Sequence, residues 1–193
     1  WNTRFDLLNR DEEGVALIAT KTDLIVFAGT ARWEHELNAR LVADIDEVNF
    51  MIPELHSTFD GDYHTVNVNI DHTGSDAGFV RYLYGTLKNL VVRGTVAVTE
   101  KYAGGVVGRT YTGALVSSVE SYVTIDASIE GDGTHGGIVG LNEGTATLEN
   151  CLYAGTMTGE KTDRCGGLVG WASGKVKINN CLQVATISMS NLH

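Results

Sequence analysis

The cysteines are the first side chains whose type and spacing could support chemistry. The chain has three, and Cys151 and Cys181 occupy the same place in a repeated pattern, with Cys165 between them. A zinc site would need a Cys-x-x-Cys pair or a histidine in register; the chain has no Cys-x-x-Cys pair, and we expect no histidine in register with Cys151 and Cys181. The alternatives are a disulfide of a secreted protein and two small apolar side chains stacked in a core. We predict that Cys151 and Cys181 are buried, adjacent and reduced, because neighbouring parallel strands hold Cβ atoms farther apart than the ~3.8 Å of a relaxed bridge.

Acidic side chains cluster at two places near the start of the chain. In "DIDE", Asp44 and Asp46 lie on one face of a predicted strand, and "DGD" supplies Asp60 and Asp62. Carboxylate oxygens are the ligands that Ca²⁺ prefers, but this spacing is not that of a calcium loop. The sequence therefore predicts no metal site, and it predicts no cofactor.

A third polar group, Glu130, Asp132 and His135, falls in one predicted corner, with Glu143 in the same repeat. A polysaccharide-cleaving enzyme needs paired acids, or a base with Arg or Lys, converging on one face. None of these residues recurs in register with a second acid in the next repeat, so we predict that the chain is not an enzyme. A polysaccharide lyase or glycoside hydrolase stays the alternative, and two carboxylates within about 10 Å in one groove would favour it.

Tyr84, Tyr111 and Trp171 are the candidate ligand-binding residues. Each precedes, by three residues or fewer, a glycine that recurs in every repeat. Exposed, they would form a stripe along one edge, interrupted by Asn142 and Glu143. Aromatic stripes stack on sugar rings or pack on a protein partner, whereas the alternative is corner packing against the neighbouring coil.

The elements that position these residues are indicated by a five-residue motif, here called the glycine phrase, that occurs three times. "GGVVG" at 104–108, "GGIVG" at 136–140 and "GGLVG" at 166–170 are 32 and 30 residues apart, and "AGFVR" at 77–81 is a weaker copy. A second glycine column and a third column follow each phrase: Gly85, Gly113, Gly144 and Gly174, then "LKNL", "VSSV", "LENC" and "INNC". Self-similarity at a fixed period is the signature of repeat architectures, and these columns define repeats of about thirty residues over 77–190.

Each repeat divides into short, β-branched pieces separated by glycine, which favours strands over helices. The chain has only one proline, which fits many paired strands. We predict an all-β fold, a right-handed parallel β-helix (solenoid) with coils of about 30 residues, stacked about 4.8 Å apart. In it the glycine pair turns a tight corner of every coil, and the apolar pair after it forms a stacked rung.

Residues 1–76 are predicted to form an N-terminal cap with a helix and an early β-coil, continuous with the repeats of 77–193 in one domain. "TKTDLIVFAGTARW" offers Thr20 or Thr22 as helix cap, with Asp23 in the first turn. The predicted apolar face of this helix consists of Leu24, Ile25, Phe27 and Ala28. "LNARLVADIDEV" and "TFDGDYHTVNVNI" are predicted strands, the second alternating through Val66, Val68 and Ile70.

The net charge and its distribution limit the classes of partner that the chain can bind. The net charge is −10, and all of it lies in residues 1–77, which hold fifteen acidic and five basic side chains against nine of each in 78–193. Nucleic-acid binding needs clustered Lys and Arg, so a nucleic-acid partner is excluded. No apolar run approaches the ~18 residues of a membrane span, so the chain is predicted not to span a membrane.

The repeats resemble the GLUG motif of bacterial cell-surface proteins. "GGLVGWASGKVKINNCL" at 166–182 and "GGIVGLNEGTATLENCL" at 136–152 carry it most closely. The copy from 104 has Ser118 and Val119 in place of the Asn–Cys pair, and the copy from 77 has Arg81 in place of the last glycine. The preceding segments resemble those of secreted Bacteroides-type proteins, so the resemblance covers most of 15–190. It implies a β-helical, adhesin-like protein, secreted or anchored at the bacterial cell surface, and transfers no catalytic residues.

The sequence thus predicts a structural or adhesive surface module that presents a repeated face to a protein or glycan partner of a host or matrix. A self-assembling filament or surface-layer subunit is a further alternative. The last repeat is apolar and β-rich, which describes an aggregation-prone edge, through Val176, Ile178, Leu182, Val184 and Ile187. We expect that this C-terminal coil is covered in the working protein, for example by end-to-end self-association.

Overall fold

The structure is a computed structural model that describes residues 7–126, 133–159 and 165–189. Glu130 and Asp132, which the sequence places in the predicted polar corner, lie outside the described residues. In chain order the elements are β1 (Ala16–Ile18), α1 (Lys21–Thr30), β2 (Ala39–Leu41), β3 (Ile45–Val48), β4 (Ile52–Leu55), β5 (Thr58–Asp60), β6 (Thr65–His72), β7 (Val80–Leu83), β8 (Thr86–Val98), β9 (Val107–Thr110), β10 (Leu115–Asp126), β11 (His135–Gly136), β12 (Val139–Asn142), β13 (Thr145–Glu149), β14 (Leu152–Tyr153), β15 (Thr156–Gly159), β16 (Cys165–Gly166), β17 (Val169–Ala172), β18 (Lys175–Asn179), β19 (Leu182–Gln183) and β20 (Thr186–Met189).

These strands stack in parallel ladders, which confirms the predicted β-solenoid. One ladder runs β1-β2-β5-β8-β10-β13-β18, and a five-stranded sheet runs β4-β7-β9-β12-β17. A third ladder joins β3 to β6 and continues through the long strands β8 and β10 to β14 and β15, then to β19 and β20. In the five-stranded sheet, residues in register are between 27 and 32 positions apart along the chain. The right-handed sense of winding stays a prediction.

The helix α1 covers the N-terminal coils as predicted. Thr20 is its N-cap, and Asp23 completes a capping box, with each side chain bonded to the other's backbone amide, which satisfies two amide donors of the first turn. Leu24 and Phe27 are buried beneath it. The prediction for Ile25 is wrong: it is 50% exposed, because it follows Leu24 by about 100° around the helix and turns away from the coil.

The predicted early strands are confirmed as β2, β3, β5 and β6, and Val66 and Val68 are buried. Ladders β4–β7 and β6–β8 cross from residues before 76 to residues after it, and one core of buried side chains extends from Leu8 to Met157. The division of the chain at residue 76 stays a prediction.

The three glycine phrases stack in parallel as expected. Residues 107–108, 139–140 and 169–170 lie in neighbouring strands of the five-stranded sheet, while the leading glycines pair in a separate short ladder. A Cβ on Gly104 would overlap Val107 O and Gly140 N, and one on Gly136 would overlap Val139 O and the Gly170 amide. Glycine is therefore required here by the close approach of backbones, within a coil and between coils.

The third repeated column is explained by a different backbone requirement, a positive φ angle. Asn89, Ser118, Asn150 and Asn180 all have φ between 49° and 55°. Asparagine tolerates this left-handed conformation better than other residues with a Cβ. This position, asparagine in three repeats and serine in one, is thus a corner residue of the coil.

The core fills the inside of the coils. The rung residues Val107, Ile138 and Val139 are fully buried, whereas Leu168 and Val169 of the terminal coil are only partly buried. Helix α1 has ten residues, and in the described part of the chain no helix has the length and apolar character of a membrane span.

Cys151 and Cys181 are not joined by a disulfide. They lie next to each other, with Cys181 Sγ 3.4 Å from the Cys151 amide nitrogen. Cys151 is buried as predicted. The prediction for Cys181 is wrong in one respect, since it is only half-buried: its coil lacks, among the described residues, a further coil stacked on it.

Candidate functional site

The outer surface of the five-stranded sheet carries two parallel rows of side chains. Residues two apart along an extended chain share a face, so each strand contributes one residue to the first row and the residue directly after the strand belongs to the second. The first row is Glu54, Tyr82, Arg109, Leu141 and Trp171. The second row consists of His56, Tyr84, Tyr111, Glu143 and Ser173. The backbone amides of the last four donate hydrogen bonds to the preceding coil at 2.8–3.0 Å. We call this surface the outer face.

Four rings form a continuous stack on the outer face. His35, from the loop after α1, lies on His56 with ring centroids 3.9 Å apart. His56 stacks on Tyr84, and Tyr84 on Tyr111, both at 4.3 Å and with planes within 4° of parallel. The spacing follows from the ~4.8 Å separation of neighbouring strands, which places in-register rings face to face. We call this group the ring stack.

The ring stack is polar at its edge. Glu54 Oε2 lies 3.2 Å from His56 Nε2. Burial raises the pKa of Tyr84 to about 12, with further contributions from the neighbouring Tyr111 hydroxyl and the Glu54 charge. Tyr84 is therefore a neutral phenol at physiological pH, able to donate and accept a hydrogen bond.

Arg109 is fixed in the middle of the outer face. Its Nε and Nη2 donate to the two carboxylate oxygens of Asp76 at 3.0 Å each, and its Nη1 donates to Glu143 at 2.7 Å. Burial lowers the pKa of Arg109, but the hydrogen bonds and charge of Asp76 and then of Glu143 outweigh it, so the net shift is upward. The bidentate geometry holds a permanent positive charge beside the ring stack.

The structure brings two of the three predicted aromatic residues together. Tyr84 and Tyr111 lie in the same row and cover each other's ring faces, so corner packing describes them better than an open stripe. Trp171 lies in the other row, beyond Leu141, and is 45% exposed. Its place was visible in the sequence, since it follows the last residue of its repeated phrase by one position, whereas Tyr84 and Tyr111 follow theirs by three.

Sequence reasoning missed a cluster at the first end of the ring stack. His35, Glu54 and His56 place one potential ligand atom each within 4.8 Å of one another. Glu54 and His56, which flank Leu55 in the sequence, were a detectable signal, because residues two apart in an extended chain lie on the same face. His35 comes from a different element, and no spacing rule connects it to them.

Two of the four acidic residues considered as calcium ligands have partners within the protein. Asp44 accepts from the Thr65 amide at 2.9 Å and lies 3.1 Å from His64 Nδ1. Asp60 is paired with Lys88 at 3.0 Å. Hydrogen bonds from Thr65 and His64 lower the pKa of Asp44.

The interior holds a histidine and a cysteine in register, His135 and Cys165. Nδ1 of His135 accepts a hydrogen bond from the Ala103 amide at 3.0 Å, and Nε2 has no partner among the described residues. Burial lowers the pKa of His135 to about 4 and raises the pKa of Cys165. Both shifts favour neutral groups, the opposite of what a thiolate–imidazolium nucleophile needs.

An open groove of about 600 Å³ is lined by Asp46 and Glu47 together with Lys21, Asn49, Asn67, Val68 and Asn69. Both carboxylates are exposed, at an irregular register between β3 and β6. A general acid at neutral pH needs a carboxyl sheltered from water, and these two carboxylates are exposed.

Comparisons with known proteins give one match. No protein-family model and no curated protein matches the chain, so the GLUG resemblance stays a prediction. Among solved structures the chain is similar to a protein described as a "putative immunoglobulin A1 protease" from Bacteroides ovatus, with 18% identity and a TM-score of 0.60. The match covers 96% of this chain and 70% of that one. At this identity the similarity shows the β-solenoid fold alone.

Proposed function

We propose that the chain is a non-catalytic β-solenoid module that presents the outer face to a protein or glycan partner at a bacterial surface. The observation that carries this proposal is the ring stack beside Arg109, since both are held rigid by the coil repeat and by hydrogen bonds. A preformed, ordered surface loses little conformational entropy on binding. A secreted or surface-anchored location agrees with the resemblance to adhesin-like proteins.

The chemistry of the outer face favours a polar partner. Because the rings of the ring stack cover one another's faces, a ligand meets mainly their edges, the Tyr84 and Tyr111 hydroxyls and the charges of Arg109 and Glu143. Hydroxyl-rich sugars or the backbone of a peptide match this pattern of donors and acceptors. Trp171 adds a partly open ring surface for an apolar contact.

Catalysis is the second candidate, favoured by the protease name of the structural neighbour and by the carboxylates of the open groove. Against it stand the pKa shifts of the buried His135 and the half-buried Cys165, which favour the neutral form of both groups. A carbohydrate-active enzyme would also need a general acid sheltered from water, and both groove carboxylates, Asp46 and Glu47, are exposed.

A binding screen tests the proposal. The 193-residue chain is applied to a glycan array and to immobilised immunoglobulin A1, followed by Tyr111→Ala and Trp171→Ala. Tyr122→Ala is the matched control, because Tyr122 contacts Arg93 on a different sheet. We expect at least a fivefold loss of signal from the outer-face variants and no loss from the control. Equal loss from Tyr122→Ala, no binding to either set of probes, or cleavage of the immunoglobulin would contradict the proposal.

The terminal coil supports a proposal about self-association. Ile178, Leu182 and Val184 are 48%, 57% and 61% exposed and adjoin strands that pair on one side within the described residues. Such an edge is a template for strand addition. We expect light scattering of the 193-residue chain to show mass rising with concentration, and Val184→Lys to reduce the rise. A chain that stays monomeric at high concentration would contradict this.

A further inference from the structure

The geometry points to a site for a divalent transition-metal ion, of the Zn²⁺ class, formed by His35, Glu54 and His56. Two imidazoles and one carboxylate form a set of donors that Zn²⁺ binds in proteins, with further positions left to water or a partner. This site lies at the first end of the outer face and shares His56 with the ring stack, but metal binding there does not depend on the proposed binding function.

Two rigid elements hold the three side chains together. Glu54 and His56 flank Leu55, which is fully buried, so both point outward from β4. His35 lies in the loop that leaves α1, which is anchored by the Leu37 amide bonded to Glu34 O at 3.0 Å and by burial of Leu37. The ion would therefore connect the helical cap to the first strand of the five-stranded sheet.

The distances require only side-chain movement. Tetrahedral Zn²⁺ with bonds of about 2.0–2.1 Å needs ligand atoms roughly 3.3 Å apart, and the three atoms here lie within 4.8 Å of one another. His56 Nε2 and Glu54 Oε2 are already 3.2 Å apart. Because two parallel rings cannot both point lone pairs at one ion, His35 must rotate out of the ring stack.

Rotation of His35 meets little resistance. Its ring is exposed, and its Nε2 contact is a 3.3 Å approach to the Arg32 carbonyl. The lost stacking contact with His56 is weak compared with a metal–imidazole bond. His56 keeps its second ring face on Tyr84, so the ring stack continues to position it.

The surrounding charge favours a cation. Glu36 is an exposed neighbour of His35, and Glu34 lies one residue before it, where it pairs with Arg10 at 3.3 Å. Residues 1–77 carry the whole net charge of the chain. Exposed carboxylates attract divalent ions at low ionic strength and raise their local concentration.

Calorimetric titration of the full 193-residue chain with ZnCl₂ at pH 7.5 tests the site, with His35→Gln, Glu54→Gln and His56→Gln as variants. His64→Gln is the matched control, because His64 also contacts a carboxylate, Asp44, without a third ligand. We expect binding of one ion with micromolar or tighter affinity, and at least a tenfold loss of affinity in each ligand variant. Affinity should also fall as the pH is lowered, because protons compete with the metal for imidazole and carboxylate ligands.

Cobalt provides a readout that separates this site from the cysteines. Co²⁺ bound by nitrogen and oxygen gives visible bands without the near-ultraviolet charge-transfer band that a thiolate produces. We expect the visible bands in the wild type and the His64→Gln control, and their loss in His35→Gln with an unchanged far-ultraviolet circular dichroism spectrum. No bound ion, a thiolate band, or equal loss of binding in His64→Gln would overturn the proposal.

Discussion

An inner coil and the terminal coil of this solenoid have closely similar sequences and the same backbone, but different burial. Val139 and Leu148 of the inner coil are 0% and 1% exposed. Their partners in register, Val169 and Ile178, are half-buried and 48% exposed. The difference arises because the inner coil is packed on both sides and the terminal coil, within the described residues, on one.

The comparison separates two kinds of information in the repeat. Corner geometry is local, since Asn150 and Asn180 have φ of 54° and 49° in the two coils. Burial is not local, since it depends on the neighbouring coil, as in other solenoids. Equivalent substitutions should therefore have large effects in the inner coil and small ones in the terminal coil.

The largest expected contrast is between Leu148→Ala and Ile178→Ala. Removing a fully buried leucine leaves a cavity and costs roughly 2–5 kcal/mol of unfolding free energy. Ile178 loses only the part of its side chain that is covered, so its cost should be under about 1.5 kcal/mol. Urea unfolding of both variants measures the contrast. Equal costs would show that burial in the two coils is the same.

The next contrast is in pH dependence, through His135. Its pKa falls from 6.5 to about 4 on folding, so between those values the unfolded chain binds more protons and stability falls as pH falls. The full loss is about 3 kcal/mol. His135→Gln removes the titrating ring, and Cys165, its partner in the terminal coil, has no imidazole. We expect the wild type to lose more stability than His135→Gln between pH 7 and pH 4; parallel profiles would contradict the assignment.

A smaller contrast concerns Gly137 and Gly167, at the same place in the two coils. A Cβ on Gly137 would overlap the buried ring of Tyr153 and the Gly167 carbonyl, whereas one on Gly167 meets the Gln183 side chain. Overpacking a rigid core costs about 1–3 kcal/mol, but a flexible glutamine can move. Thermal unfolding should show a larger decrease in Tm for Gly137→Ala, and the reverse order would refute this reasoning.

The smallest contrast is in thiol reactivity. Cys151 is buried, and burial raises its pKa to about 12, whereas Cys181 is half-buried. We expect iodoacetamide to alkylate Cys181 of the native chain before Cys151, and all three cysteines after denaturation without reductant. Mass spectrometry of peptides checks both. A cross-linked peptide containing Cys151 and Cys181 would show that a disulfide forms instead.

Much of the fold could be predicted from the sequence, because the same local pattern recurs in every repeat. The glycine phrases predicted the stacked ladders, and Thr20 with Asp23 predicted the start of α1. The sequence could not show how far each side chain is exposed to solvent. The pattern that buries Cys151 leaves Cys181 half-buried, and Ile25 of α1 faces solvent.

The candidate site was only partly readable. Tyr84 and Tyr111 were identified, but not that their rings stack, because stacking depends on strand register between coils. His35 joined the site through the fold alone, since it comes from the loop after α1. Long-range neighbours of this kind carry no periodic signal.

Residue-resolved amide hydrogen exchange by NMR, on dilute monomeric chain, tests the stacked-coil account most directly. Alternate amides of a parallel strand donate to opposite neighbours, and the Leu182, Val184 and Thr186 amides donate back to the inner coil at 2.9–3.2 Å. We predict slow exchange for these three and fast exchange for Gln183 and Ala185, while amides of the inner strand β12 are uniformly slow. Exchange at Gln183 and Ala185 as slow as at Leu182, or fast exchange throughout β12, would contradict the account.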